Sequence, residues 1–109
     1  MDQKYSCPVC GWDQLETRPY KNMPDQVHPV TVTPPYEKVW GGASYEVCDC
    51  CGFEFGNDDD ASMSTPSTFE GYREEWLQEG ALWFNPINKP VHWNLALQFQ
   101  KAGIEMKRD

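Results

Sequence analysis

The chain has 109 residues with a formal net charge of −8, from nine Lys and Arg against seventeen Asp and Glu. That balance, with no basic run, excludes the phosphate-neutralising surface on which nucleic-acid affinity rests and favours a basic protein partner instead. At this length the chain reads as one domain, 1–109, able to bury roughly 65% of its unfolded surface.

Residues 1–30 lack the apolar core of a signal peptide, and no stretch approaches the length of a membrane span. Five cysteines, an odd number, with CxxC spacing suit a reducing compartment better than a disulfide framework, so a cytoplasmic setting is expected. Aliphatic residues are sparse and the hydrophobic mass lies in Trp, Tyr and Phe, five of each. A metal staple would matter to such a chain.

The first element is a CxxC-Gly unit, Cys7-Pro8-Val9-Cys10-Gly11, with Tyr5 before it and Trp12 to Leu15 after it as short strands. Residues 17–43 follow, with Pro19, Pro24, Pro29, Pro34 and Pro35, and end in Trp40-Gly41-Gly42. Proline lacks the amide donor and clashes with the preceding turn, so no helix is expected there. Val30-Thr31-Val32 offers one short edge strand.

Residues 44–60 repeat the opening pattern. Tyr45-Glu46-Val47 leads into Cys48-Asp49-Cys50-Cys51-Gly52, and Gly52 to Gly56 alternates apolar and polar at strand period. The two units read as an internal pseudo-repeat of strand, knuckle and strand. Asn57 to Asp60 closes this half as a solvated polar turn.

Residues 61–109 change character. Pro66 followed by Ser67-Thr68-Phe69-Glu70 reads as a capping box that opens a helix to about Glu79, stopped by Gly80. Phe69, Tyr72, Trp76 and Leu77 share its apolar stripe, while Arg73, Glu74 and Glu75 are expected to face water. Ala81-Leu82-Trp83-Phe84 is an apolar patch expected to pack back onto the first half. Asn94 caps a last helix through about Ala102, with Gly103 and Ile104 forming a Schellman stop and Lys101 suiting the helix dipole.

Two cysteines three apart can aim both sulfurs at one ion while the intervening amides donate to the thiolates, and the following Gly takes a conformation hostile to side chains. Two such units make one closed tetrahedral site, so Cys7, Cys10, Cys48 and Cys51 are the expected ligands of one Zn²⁺. The long spacer between Cys10 and Cys48 is no obstacle, because doubling a loop costs only about 0.6 kcal/mol. Cys50 is left over, its side chain directed away from the ion. Its plainest reading is a small buried or half-exposed thiol; the alternatives are a redox-reactive thiol beside the site and a register in which Cys50 replaces Cys48 or Cys51, which the poorer fit of C-x-C and C-C pairs to a knuckle disfavours. Rubredoxins share two CxxC-Gly knuckles, an acidic surface and many aromatics, which keeps iron as the alternative metal, although they have no counterpart to the half from Ser67 onward.

Other candidates carry less. His28 lies in the Pro-rich loop and His92 precedes Trp93; both read as surface or packed imidazoles. Asp58, Asp59 and Asp60 lack the spacing of a Ca²⁺ loop. No Ser/His/Asp arrangement, phosphate-binding Gly loop or carboxylate pair is present, and four thiolates leave a metal no open position for water.

The segment from Tyr45 to Asp59 resembles the small bacterial proteins grouped as cysteine-rich CPCC-type domains. So do Cys7-Pro8-Val9-Cys10-Gly11, Tyr72 to Trp76 and Ala81 to Phe84, together roughly half the chain. The literal C-P-C-C string occurs in neither knuckle. The resemblance implies zinc binding in a bacterial cytosol and supplies no activity.

The expectation is therefore an α+β domain: a zinc-ribbon-like β core with two zinc knuckles over 1–60, interrupted by the Pro-rich insert 17–43, followed by C-terminal helices over 61–109. The expected function is non-enzymatic: a structural Zn(Cys)₄ domain that contacts a protein partner through an aromatic surface rimmed by acidic residues. The alternatives are redox sensing through Cys50, rubredoxin-like electron transfer, and neutralisation of a basic toxin.

Overall fold

Each CxxC-Gly unit folds into a hairpin because its glycine can turn where other residues strain. In the computed structural model, which describes residues 3–28, 30–60 and 67–105, Gly11 has φ +85° and Gly52 φ +84°. Those turns let Gly11 N donate to Cys7 O and Gly52 N to Cys48 O, both at 2.8 Å. One step outward, Cys7 N donates to Trp12 O at 2.8 Å and Cys48 N to Phe53 O at 3.0 Å. The pseudo-repeat is thus visible as a repeated hydrogen-bond pattern.

Neither hairpin extends into a ladder. Among the described residues the strand pairing consists of three isolated antiparallel bridges, Tyr5 with Leu15, Tyr20 with Ala43 and Val47 with Glu54. Local geometry accounts for this. Outside the first turn Ser6 alone opposes Asp13 and Gln14, a mismatch of one residue that interrupts pairing as a bulge does. Beside the second, Tyr45 sits at φ +61°, a left-handed conformation no regular strand continues through.

The Pro-rich stretch departs from expectation twice. It contains a helix of one turn, α1 (Glu37–Trp40), because every proline lies before Tyr36 and the missing donors fall where a helix needs none. Val30, Thr31 and Val32 form no bridge; Tyr20 and Ala43 pair instead. Pro29, and Pro66 further on, lie outside the described residues.

α2 (Phe69–Gln78) starts one residue later than the capping-box reading places it. Thr68 is the N-cap, its Oγ1 accepting from Gly71 N at 2.9 Å, so Glu70 is not in the reciprocal position. Phe69 and Trp76 are buried on the expected stripe. Arg73 is not in water: it lies half-buried beneath the first knuckle. α3 (Leu95–Ala102) has the expected ends. Asn94 Oδ1 accepts from Leu97 N at 3.0 Å; Gly103, at φ +77°, donates to Gln100 O, and Ile104 N to Phe99 O at 2.9 Å. Phe99 and Ile104 are both buried, which adds the apolar contact that accompanies a Schellman end.

The core is aromatic. Tyr36 stacks on Phe69 with centroids 3.9 Å apart, Trp40 lies parallel to both, and Tyr20, Phe53 and Phe55 pack around them. A second cluster, Trp12, Trp83, Trp93 and Trp76, runs under the chain that follows α2. Among the described buried apolar residues the aliphatic side chains are Val9, Leu15, Met23 and Ile104, with the rings of Pro8 and Pro19. Asp59 corrects the solvated-turn expectation: 1% exposed, its carboxylate accepts from Tyr20 OH at 2.7 Å, Gly56 N at 2.9 Å and Tyr36 N at 3.2 Å. Among the described residues no helix is long and apolar enough to cross a membrane.

Candidate metal centre

The two hairpin turns face each other, and their cysteines meet. The Sγ atoms of Cys7, Cys10, Cys48 and Cys51 all lie within 4.8 Å of one another. Across the turns, Cys7 Sγ is 3.7 Å from Cys51 Sγ and Cys10 Sγ is 3.6 Å from Cys48 Sγ. A tetrahedral ion with metal–sulfur bonds of about 2.3 Å needs sulfurs about 3.8 Å apart. All four residues are buried, and all five cysteines are free thiols. No other group of three or more metal-ligating side chains gathers among the described residues.

Cys50 stands outside this cluster and is also fully buried. Its sulfur accepts from Gln98 Nε2 at 3.5 Å. A reactive thiol needs exposure and an ionising environment; Cys50 lacks the first.

Crowding divides the thiols electrostatically. Burial pushes the Cys7 thiol up, but hydrogen bonds from the other sulfurs and from the Cys10 amide outweigh it and hold the thiol well below its ordinary value. Burial pushes Cys10 and Cys51 well above theirs; the neighbouring sulfurs add to this at Cys10. A metal bound by these groups would have to displace their protons, so its occupancy would depend on pH.

The rear of each knuckle is gripped by the helical half. Arg73 Nε donates to Val9 O at 2.6 Å and its Nη2 to Pro8 O at 3.2 Å. Gln98 Nε2 also donates to Cys10 O at 2.9 Å, while Gln98 Oε1 accepts from Trp93 Nε1 at 2.8 Å. On the second knuckle, Phe84 N donates to Cys50 O at 3.0 Å and Asn85 N to Asp49 O at 2.8 Å. Sequence reasoning missed Arg73 and Gln98. A signal existed for Arg73: four residues after Phe69 and three before Trp76, it occupies the buried stripe of α2.

The remaining candidates stay apart from the sulfurs. His28 is half-buried and lowered to about 4, by burial first and then by the charge of Arg73; its Nε2 has no hydrogen-bond partner among the described residues. His92 is exposed. Asp58 accepts from Glu54 N at 2.8 Å, a structural contact within its own turn. The apolar patch after α2 splits: Trp83 packs inward, whereas Leu82 is 70% and Phe84 63% exposed, followed by Ile87 at 90% and Val91 at 93%.

No family model matches the chain, and no solved structure matches it significantly. Two curated relatives do, both from Bacillus subtilis (strain 168). The uncharacterised protein YozI is 27% identical over 100 residues, covering 83% of this chain and 70% of the relative. The uncharacterised protein YoaQ is 30% identical over 101 residues, covering 83% of this chain and 71% of the relative. Identity at that level over most of both sequences reflects common descent, and the chain belongs to the YoaQ family.

Proposed function

We propose that this chain is a non-enzymatic, zinc-ribbon-like domain whose Cys7, Cys10, Cys48 and Cys51 hold one structural Zn²⁺, and that it acts by contacting another protein. The observation that carries the metal reading is the sulfur cluster: four buried thiols from two Gly-ended turns, at separations suited to a tetrahedral ion. Bound zinc would supply cross-linking of the two hairpins, which the thin aliphatic core and single bridges supply weakly. Four thiolates close the coordination shell, so the chemistry expected of the centre is structural.

Metal analysis of protein purified without chelator tests this, with one zinc per chain expected. A red, redox-active protein would instead indicate iron, and less than one metal ion per chain would count against the centre. Redox sensing through Cys50 receives no support from a thiol buried at 0% exposure.

The partner reading draws on Leu82, Phe84, Ile87 and Val91, large apolar side chains left in solvent within ten residues. Exposed apolar patches of this kind mark protein contacts. The net charge of −8 favours a basic partner. Affinity capture from a native host tests it: Leu82→Ser with Ile87→Ser should lose the partner while keeping zinc, and unchanged capture would remove this surface from consideration.

A further inference from the structure

The two knuckles are held from behind at equivalent carbonyls by chemically different groups. On the second, the carbonyls of the two residues after Cys48, Asp49 and Cys50, accept from neutral backbone amides of Asn85 and Phe84. On the first, the carbonyls of the two residues after Cys7, Pro8 and Val9, accept from one guanidinium. Arg73 remains charged at any pH a protein meets, and a hydrogen bond from a charged donor is about twice as strong as a neutral one.

The connection to sulfur is covalent and short. Val9 O and Cys10 N belong to the same peptide unit, and Cys10 N–H donates to the Cys7 sulfur. A cation 2.6 Å from Val9 O polarises that peptide and makes its N–H a stronger donor toward the thiolate. A four-thiolate zinc centre carries two negative charges into a buried site, where charge without compensation is costly. Arg73, itself half-buried, interacts electrostatically with Cys7, Cys10 and Cys51.

We propose that Arg73 is a positioning residue of the metal centre: from α2 it clamps the Pro8 and Val9 carbonyls, orients the Cys10 amide onto Cys7 and offsets the charge of the thiolate set. This rests on the reading of the four cysteines as a zinc site. It makes the centre asymmetric, with a charged clamp on the first knuckle and a neutral one on the second.

The test measures zinc affinity of the full chain by chelator competition, together with mass-spectrometric rates of N-ethylmaleimide alkylation at each cysteine of the zinc-loaded protein. Arg73→Gln is expected to lose about 10–100-fold in affinity, the range for residues that orient metal ligands. Alkylation should accelerate at Cys7 and Cys10 more than at Cys48 and Cys51. Arg73→Lys keeps the charge without the two-point grip and should fall between; it carries the test if Arg73→Gln does not fold. Arg18→Gln, which removes a charge paired with Asp25 instead, should leave affinity unchanged. Equal affinity of wild type and both Arg73 variants overturns the positioning role alone. Equal acceleration at all four thiols also overturns it, by showing general destabilisation. A wild type that takes up no metal overturns the zinc reading and this inference with it.

Discussion

Gly11 and Gly52 occupy the same place in the two turns, with φ +85° and +84°, yet their surroundings differ. A Cβ on Gly11 would meet Ala102 Cβ at 2.7 Å and Gln98 O at 3.2 Å, both part of α3. A Cβ on Gly52 would meet Phe84 Cδ1 at 2.9 Å, a ring that is 63% exposed and can swing aside. Left-handed backbone costs both substitutions about 1–2 kcal/mol, and Gly11→Ala should lose about 1–3 kcal/mol more through overpacking. Urea unfolding of the two zinc-loaded variants checks the order. Asp59 is the other residue on which much depends. Three donors converge on its carboxylate, and each buried donor left unsatisfied costs about 1–3 kcal/mol. Asp59→Ala should therefore destabilise by at least about 3 kcal/mol, and Tyr20→Phe by no more than about 3. At the sulfurs the pH dependence has a definite sign: Cys10 and Cys51 hold their protons well above the ordinary thiol value. If the site holds the proposed zinc, acidification returns protons to the thiols and weakens its binding, so occupancy followed by ultrafiltration should fall as pH is lowered.

At the scale of elements, the helices serve the knuckles through α2's Arg73, α3's Gln98 and the backbone of Phe84 and Asn85 between them. The ten residues from Leu82 to Val91 are thus tied to the second knuckle by their start, where Trp83 is buried, and exposed from Pro86 onward. Ile87→Ser and Val91→Ser remove side chains 90% and 93% exposed, and each should change thermal stability by less than about 0.5 kcal/mol. A larger loss would mean that these side chains pack against something in the isolated protein. Helix ends were legible because caps are local: Asn94, Gly103 and Ile104 act within a few residues of one another. The one-residue slip at α2 arose where Ser67 and Thr68 stand side by side, both able to cap, and packing of Phe69 chose between them. α1 escaped notice because a proline-rich composition says little about the proline-free turn at its end.

For the whole molecule, the aromatic rings and the buried cysteines form one continuous core, and the hairpins that carry the sulfurs have little pairing of their own. Structural zinc contributes on the order of 10–16 kcal/mol in small domains, comparable to a domain's net stability. Chelation should therefore abolish the cooperative unfolding transition and expose the tryptophans, read as a red shift in fluorescence; a chelated protein with an unchanged transition would mean that the aromatic core suffices alone.

The sequence by itself determined the two CxxC-Gly turns and both long helices, because spacing, glycine and capping residues act on their immediate neighbours. Only the tertiary structure decided that Arg73 lies beneath the first knuckle, with its carbonyl partner 64 residues away, and that Asp59 is buried while Phe84 is not. Those outcomes depend on which surfaces the aromatic core brings together, and neither residue type nor local period carries that information.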